Sequence, residues 1–218
     1  MERIFYVSSM HGDDTNSGQT PEDAFRSLRK INQLEIQPGD QIFLERGSVF
    51  IGEYLHLYAG GTKEAPVVVD AYGEGALPRI EADGNGIWYQ NYGGHLDNVV
   101  HTWKGYLSSA VLLYDAEYIS IRNLEITNNP CIKNERLNQA DRMNRTGVSV
   151  IAQNHGTLHQ IELDHLYIHD VEGNIYDKHL NNGGIYMSVS RPDDEEKTGI
   201  ARYDGIHIHH CKVENCRR

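Results

Sequence analysis

The sequence predicts an all-β fold of stacked coils, and three observations predict it. Short apolar runs open at Val111, Val148 and Ile185, a constant 37 residues apart, and Leu113, Val150 and Met187 repeat that spacing two residues on. Each run is followed by a segment with the pattern apolar-x-apolar-x-x-apolar-x-apolar, at 119–126, 161–168 and 206–213. Within these segments, alternation puts Ile119, Ile121, Ile161, Leu163, Ile206 and Ile208 on one face. The two-residue step is a corner that turns the next apolar pair toward the same interior. One coil cannot bury such a face alone, whereas coils stacked about 4.8 Å apart share a continuous core. An antiparallel sandwich also alternates, but it gives no reason for three register-matched copies. Val111, Leu113, Val148, Val150, Ile185 and Met187 join the expected interior, and Leu112, Ser149 and Tyr186 are expected to line one outer face.

Taken in order, Ile4–Val7 reads as a strand and 8–21 as a turn-rich loop. Thr20 suits an N-cap, Pro21 the first helical position and Asp23 the third position of a capping box. The spacing of Phe25, Leu28, Ile31 and Leu34 predicts a helix whose apolar stripe caps the N-terminal end of the stack. Pro38-Gly39-Asp40 turns into a strand from Gln41, and further strands are read at 54–57, 67–69 and 79–80. Residues 87–105 read as irregular. Their aromatics, Trp88, Tyr89, Tyr92 and Trp103, suit either packing on the wall or stacking against a sugar. Two long loops, 127–147 and 169–184, leave the regular coils at one place, and each ends in Gly. Loops on one side of stacked coils make a binding wall. The expected organisation is one domain: 1–40 strand and cap helix, 41–109 irregular first coils, 110–218 regular coils. No cap follows the third repeat, so the chain is expected to continue past Arg218 or to cap by association.

A length of 218 residues suffices for one large core, and 21 glycines suit many short strands and turns. The net charge of −11 argues against a nucleic-acid partner. Cys131, Cys211 and Cys216 form no disulfide framework, and Cys211 occupies the repeat position of Leu124 and Leu166, as a small buried residue would. The first residues carry no signal peptide, so the reading is cytoplasmic, or secreted with the leader removed. No apolar run is long enough to span a membrane.

The order Gly12-Asp13-Asp14, Ser17-Gly18, Phe25, Leu28, then Pro38-Gly39-Asp40 before a strand resembles the opening of right-handed parallel β-helix carbohydrate-active enzymes. These include pectate and alginate lyases, of the pectin lyase-like fold, and β-helix glycoside hydrolases. The resemblance implies a polysaccharide substrate and a groove beside the coils, and it leaves the reaction open.

The two long loops supply candidate residues when aligned by the 37-residue spacing. Asp141 then falls beside Lys178, Arg142 beside His179, and Arg145 beside Asn182. A uronic-acid lyase needs a cation on the carboxylate, a base for the C5 proton and an acid for the leaving oxygen. Arg142 or Arg145, Lys178 or His179, and Tyr186 fit those three roles. Asp141, Asp177, His169, Asn182 and Trp103 are candidate substrate contacts. Hydrolysis instead needs two carboxyl groups, for which Asp170, Asp177 and Asp141 are the candidates. Lyase is placed ahead because the wall offers several cations together. A non-catalytic carbohydrate-binding or adhesin-like scaffold is the alternative. No cofactor is assigned. Calcium is considered at Asp13-Asp14 or Asp83, since Ca²⁺ takes oxygen ligands. His209 and His210 fall at a corner but show no third ligand in the sequence, so no metal site is assigned there.

Overall fold

The computed structural model describes residues 3–90, 106–129, 143–173 and 182–217. Sixteen strands carry the fold among them: β1 (Ile4–Val7), β2 (Gln41–Glu45), β3 (Val49–Ile51), β4 (Leu55–Leu57), β5 (Val67–Tyr72), β6 (Arg79–Glu81), β7 (Ile87–Tyr89), β8 (Tyr106–Tyr114), β9 (Ile119–Arg122), β10 (Glu125–Asn128), β11 (Asn144–Ala152), β12 (Thr157–Asp164), β13 (Tyr167–Glu172), β14 (Gly183–Val189), β15 (Arg202–His209) and β16 (Lys212–Arg217). Helix is limited to α1 (Leu28–Asn32), α2 (Glu195–Thr198) and a 3₁₀ turn at Pro21–Asp23.

The strands form three open sheets. The first runs β1-β2-β5-β9-β12-β15, the second β3-β6-β10-β13-β16 and the third β4-β8-β11-β14, and every pairing along these paths is parallel. From β2 onward the chain visits first, second and third sheet in rotation, with β7 inserted before β8 as an antiparallel partner. Register follows the apolar repeat. Val111 pairs with Val148 and Val148 with Ile185, while Ile119 pairs with Ile161 and Ile161 with Ile206. A one-residue slip would turn each set out of the core, so the pattern fixes the register. Val111, Leu113, Ile119, Ile121, Val148, Val150, Ile161 and Leu163 are buried in one continuous cluster.

The corner from first to second sheet has a repeated conformation. Asn123, His165 and His210, at the two-residue step of successive segments, all have φ between 51° and 54°. Asn and His are among the non-glycine residues that enter this left-handed region most readily. The Asn123 N–H donates to the Asp164 carbonyl at 3.1 Å and the His165 N–H to the His209 carbonyl at 3.3 Å, so the corners stack.

Three expectations are corrected. The continuous N-terminal cap helix is not present. Thr20 does cap, its hydroxyl accepting from the Asp23 N–H at 3.2 Å, but Ala24 is extended and Phe25 bridges to Val7. The Phe25 N–H donates to the Tyr6 carbonyl at 2.9 Å and its carbonyl accepts from the Ser8 N–H at 2.8 Å. Backbone committed to that pairing is lost to a helix. The five-residue α1 that follows still buries Leu28 and Ile31, so the three-residue spacing reported burial rather than one helix.

The interior positions of the last coil are less covered than expected. Ile206 and Ile208 are 37% and 45% exposed, and Ile185, Met187 and Cys211 are half-buried. They lie on β15, β14 and beside β16, which are edge strands and so are covered by a neighbouring strand on one side only among the described residues.

Leu112, Ser149 and Tyr186 do stack in register on the face opposite Val111 and Val148. Leu112 and Ser149, however, are fully buried. The reason is β7, read as irregular, which lays Trp88 over this face in a second apolar cluster with Leu107, Leu112 and Ile151.

Candidate functional site

The two long loops leave from the end of the second sheet and return at the start of the third. Gly147 and Gly184 stand at the return points, where the chain passes close to the second sheet. A Cβ on Gly147 would lie 2.5 Å from Ile168 Cγ2 and 2.7 Å from the Gly184 carbonyl oxygen, and one on Gly184 would lie 2.3 Å from Val213 Cγ1. Both glycines are required by close approach, since neither has a positive φ.

Arg145 and Asn182 meet at this place. The Arg145 N–H donates to Asn182 Oδ1 at 2.8 Å, and its buried guanidinium donates through Nη1 to the Glu172 carbonyl at 2.9 Å. Asn182 Oδ1 also packs directly over Gly173, where a Cβ would come within 2.0 Å of it. Arg145 therefore ties the end of β13 to the starts of β11 and β14. Its buried guanidinium touches the main chain of β13, a contact that suits a positioning role.

Asp170 lies on a bulge of β13. The core residues Ile168 and Val171 are three apart, and Asp170 between them has φ 49°. Asn215, which stacks on it from β16, has φ 50° and its side-chain amide donates to Asp170 Oδ1. The bulge puts Asp170 beside His169, whose Nδ1 is 2.7 Å from Asp170 Oδ2 and whose Nε2 is 3.0 Å from Glu125 Oε1. The His169 ring stacks on Tyr167 at 4.2 Å. Burial works against protonating His169, but the flanking Asp170 and Glu125 carboxylates outweigh it and raise its pKa above the usual histidine value. The pair is therefore an imidazole and a carboxylate in direct contact on β13, close to where the second loop departs.

Tyr186 lies apart from this group, on the covered face of β14 against the Trp88 cluster. Six candidates, Trp103, Asp141, Arg142, Asp177, Lys178 and His179, lie outside the described residues. Of the calcium candidates, Asp13 Oδ1 accepts from the Thr15 N–H at 2.8 Å and hydroxyl at 2.7 Å, while Asp14 accepts from the Ser27 N–H at 2.9 Å and hydroxyl at 2.6 Å. Asp13 thus closes a local turn, and Asp14 ties the loop to the start of α1. No helix among the described residues is long and apolar enough to cross a membrane. Sequence reasoning missed Asn215 and the bulge, because a left-handed Asp-Asn rung leaves no trace in apolar spacing.

No family model matches the chain. A lacto-N-biosidase from Bifidobacterium longum subsp. longum is 37% identical over 246 residues, covering 98% of this chain and 15% of the relative. Two crystal structures of a GH136 lacto-N-biosidase from Eubacterium ramulus, native and selenomethionine, superpose with a TM-score of 0.91 and 53% identity, covering 99% of this chain and 35% of theirs. The chain is thus homologous, over nearly its whole length, to part of carbohydrate-active glycoside hydrolases. It spans about a third of the solved relatives and about a seventh of the curated one.

Proposed function

We propose that this chain forms part of a glycan hydrolase of lacto-N-biosidase type, and that it cleaves a glycosidic bond by hydrolysis rather than by β-elimination. The observation that carries this reading is the 53% identity and 0.91 TM-score over 99% of the chain with an enzyme of that name. The three parallel sheets visited in rotation support a right-handed parallel β-helix as the scaffold, with the glycan laid along the side where 130–142 and 174–181 emerge.

Glycoside hydrolysis uses two carboxyl groups on either side of the scissile bond, one protonating the leaving oxygen and the other activating water or attacking the sugar. Asp170 is the first of the pair. It sits on a strand, its position is fixed by the bulge, and its Oδ2 lies 2.7 Å from His169 Nδ1, which leaves Oδ1 to Asn215. An ionised carboxylate suits the base or nucleophile role and leaves the acid to a second group. Asp177, seven residues on in the loop that follows, is the partner, with Asp141 of the first loop as the other candidate. Arg145 and Asn182 position that loop by closing its two ends.

Asp170→Asn in the full native protein is expected to lower kcat on a glycan ending in lacto-N-biose by about 10² to 10⁴, the contribution of a positioned acid–base group, with the fold intact. Full activity of this variant overturns the assignment of Asp170. A product absorbing in the near ultraviolet, the mark of an unsaturated sugar, overturns hydrolysis.

A further inference from the structure

We propose that Asp164, His165, His209 and His210 form a binding site for one divalent transition metal of the zinc class, at the corner between the first and second sheets. The site is separate from the loop region above and does not rest on the hydrolase reading.

The fold itself assembles the four residues. Asp164 ends β12 and His209 ends β15, and the two are register partners on adjacent parallel strands. The next residue in each case, His165 and His210, takes the left-handed corner conformation, with φ 51° and 54°. The corner therefore stacks an Asp-His pair directly on a His-His pair. The His165 and His210 rings lie face to face, with centroids 4.6 Å apart.

The ligand atoms converge. Asp164 Oδ1 lies 2.5 Å from His165 Nδ1, 2.9 Å from His209 Nδ1 and 3.3 Å from His210 Nδ1. His209 Nδ1 and His210 Nδ1 are 2.9 Å apart. Asp164, His165 and His210 each offer an atom within 4.8 Å of the others. Tetrahedral coordination at about 2.0 to 2.1 Å puts ligand atoms about 3.3 Å from one another, so the contacts of Asp164 with His165, His209 and His210 would open slightly around an ion.

Hydrogen bonding alone serves the cluster poorly. Two ring nitrogens 2.9 Å apart need one proton and one lone pair between them, and three imidazoles crowd a single carboxylate oxygen. A cation among them lets every ring nitrogen and the oxygen present a lone pair at once. The other ring nitrogen of His209 has the partner that a metal-bound imidazole usually has, since Nε2 is 3.2 Å from Glu162 Oε1. Glu162 is itself held by Ser120 at 2.7 Å and by Arg122 Nε at 2.9 Å. Three nitrogens and one oxygen select zinc, nickel, copper or cobalt over calcium and magnesium, which take oxygen ligands. An open groove of about 460 Å³, lined by Asn123, His165, Tyr167, His210 and Lys212, lets the ion reach the site from solvent.

The test is titration of Zn²⁺ into metal-stripped native protein, followed by calorimetry, with Co²⁺ as a spectroscopic probe. The expected result is one tight equivalent and a cobalt visible spectrum of tetrahedral intensity. Asp164→Asn and His210→Ala should each weaken binding at least 100-fold. Glu162→Gln should weaken it about 10- to 100-fold, the usual effect of losing the carboxylate behind a ligating histidine. His11→Ala, a histidine on another part of the surface, should change nothing. Because His165 is more than half exposed, His165→Gln gives a variant whose fold is not at risk, and it too should lose affinity. The absence of a stoichiometric zinc site overturns the proposal. So does a site whose affinity survives Asp164→Asn and His165→Gln, which would be adventitious binding at other histidines.

Discussion

Arg145 donates its backbone N–H to Asn182 Oδ1 at 2.8 Å, joining two residues 37 apart in sequence where both long loops rejoin the third sheet. With the Arg145 contact to the Glu172 carbonyl, it ties together the chain on either side of 174–181. Asn182→Ala should cost about 1 kcal/mol of stability, the net worth of one such hydrogen bond. It should also reduce turnover, because the loop end is no longer fixed over Gly173. Asn182→Asp keeps the acceptor oxygen and should retain most of both. Urea unfolding and steady-state kinetics on the two variants check the pair. Equal loss in both would mean that Asn182 acts through its amide N–H₂ instead.

His56 makes stability acid-sensitive. It is buried, its backbone N–H donating to Asn32 Oδ1 at 2.8 Å and its ring Nε2 placed 2.9 Å from the Ser109 carbonyl. Burial pushes its pKa down to about 4, outweighing that hydrogen bond, which acts to raise it. The folded state thus holds His56 neutral while the unfolded chain protonates near 6.5, so the unfolded state binds more protons between those values. Stability should be steady above pH 6.5 and fall as pH drops toward 4, by on the order of 3 kcal/mol. His169 works in the opposite sense, since its raised pKa adds stability at low pH that is lost as pH rises through the folded value. The difference between native protein and His56→Gln across pH 4 to 7 isolates the His56 part. Parallel stability curves for the two proteins would refute it.

Ser109 anchors the cover that Trp88 makes on the third sheet. Its hydroxyl accepts from Trp88 Nε1–H at 2.8 Å and from the Thr146 hydroxyl at 2.7 Å, and it donates to Ser149 Oγ at 2.9 Å, with all four side chains buried. Ser109→Ala leaves the indole N–H without its acceptor and should cost about 1 to 3 kcal/mol. Ser149→Ala should cost less, because it removes the acceptor of the Ser109 hydroxyl alone, while the Trp88 indole and the Thr146 hydroxyl both keep Ser109 Oγ as theirs. Thermal melts should rank Ser109→Ala below Ser149→Ala, with the Trp fluorescence altered only in the former. The reverse order would contradict the network.

Much of this fold was legible because burial is periodic. Val111, Val148 and Ile185 announced their pairing through one constant spacing, and the same spacing placed Arg145 beside Asn182. Where a contact depends on local backbone, the sequence was silent. Phe25 shows a helical spacing yet pairs with Val7, since the strand offered its backbone better hydrogen bonds. Trp88 could not be placed over Leu112, because an antiparallel strand inserted between coils breaks no pattern. The histidine corner is the plainest case. His209 and His210 lack a third ligand in sequence, and Asp164 and His165 lie 45 residues earlier, a distance set by the insertion that carries α2 rather than by the 37-residue period. Asp170, Asp177 and Asp141 were legible only as candidate carboxylates, with cations preferred because loops rich in Arg and Lys look like a lyase wall. Of those cations, Arg145 is buried and donates to the Glu172 carbonyl, a main-chain contact that no residue spacing announces.

The two return-point glycines should respond unequally to one added methyl group, and the inequality is opposite to what the contact distances alone suggest. A Cβ on Gly184 meets Val213 Cγ1 at 2.3 Å, closer than the 2.5 Å between a Cβ on Gly147 and Ile168 Cγ2. Yet Val213 lies on the edge strand β16 and is 46% exposed, so it can swing away at little cost. Ile168 is fully buried between β10 and β16, and the second close atom at Gly147 is a carbonyl oxygen of the neighbouring strand, which cannot rotate. Overpacking of a closed core costs about 1 to 3 kcal/mol. Gly147→Ala should therefore reach that range and Gly184→Ala fall below it. Replacing Ile168 by Leu removes the offending Cγ2 but leaves the Gly184 carbonyl in place, so Gly147→Ala/Ile168→Leu should recover part of the loss and no more. Chemical denaturation of the three variants decides it. Full recovery in the double variant would place the whole strain on the side chain, and a larger loss at Gly184 would mean that β16 is held more firmly than its exposure implies.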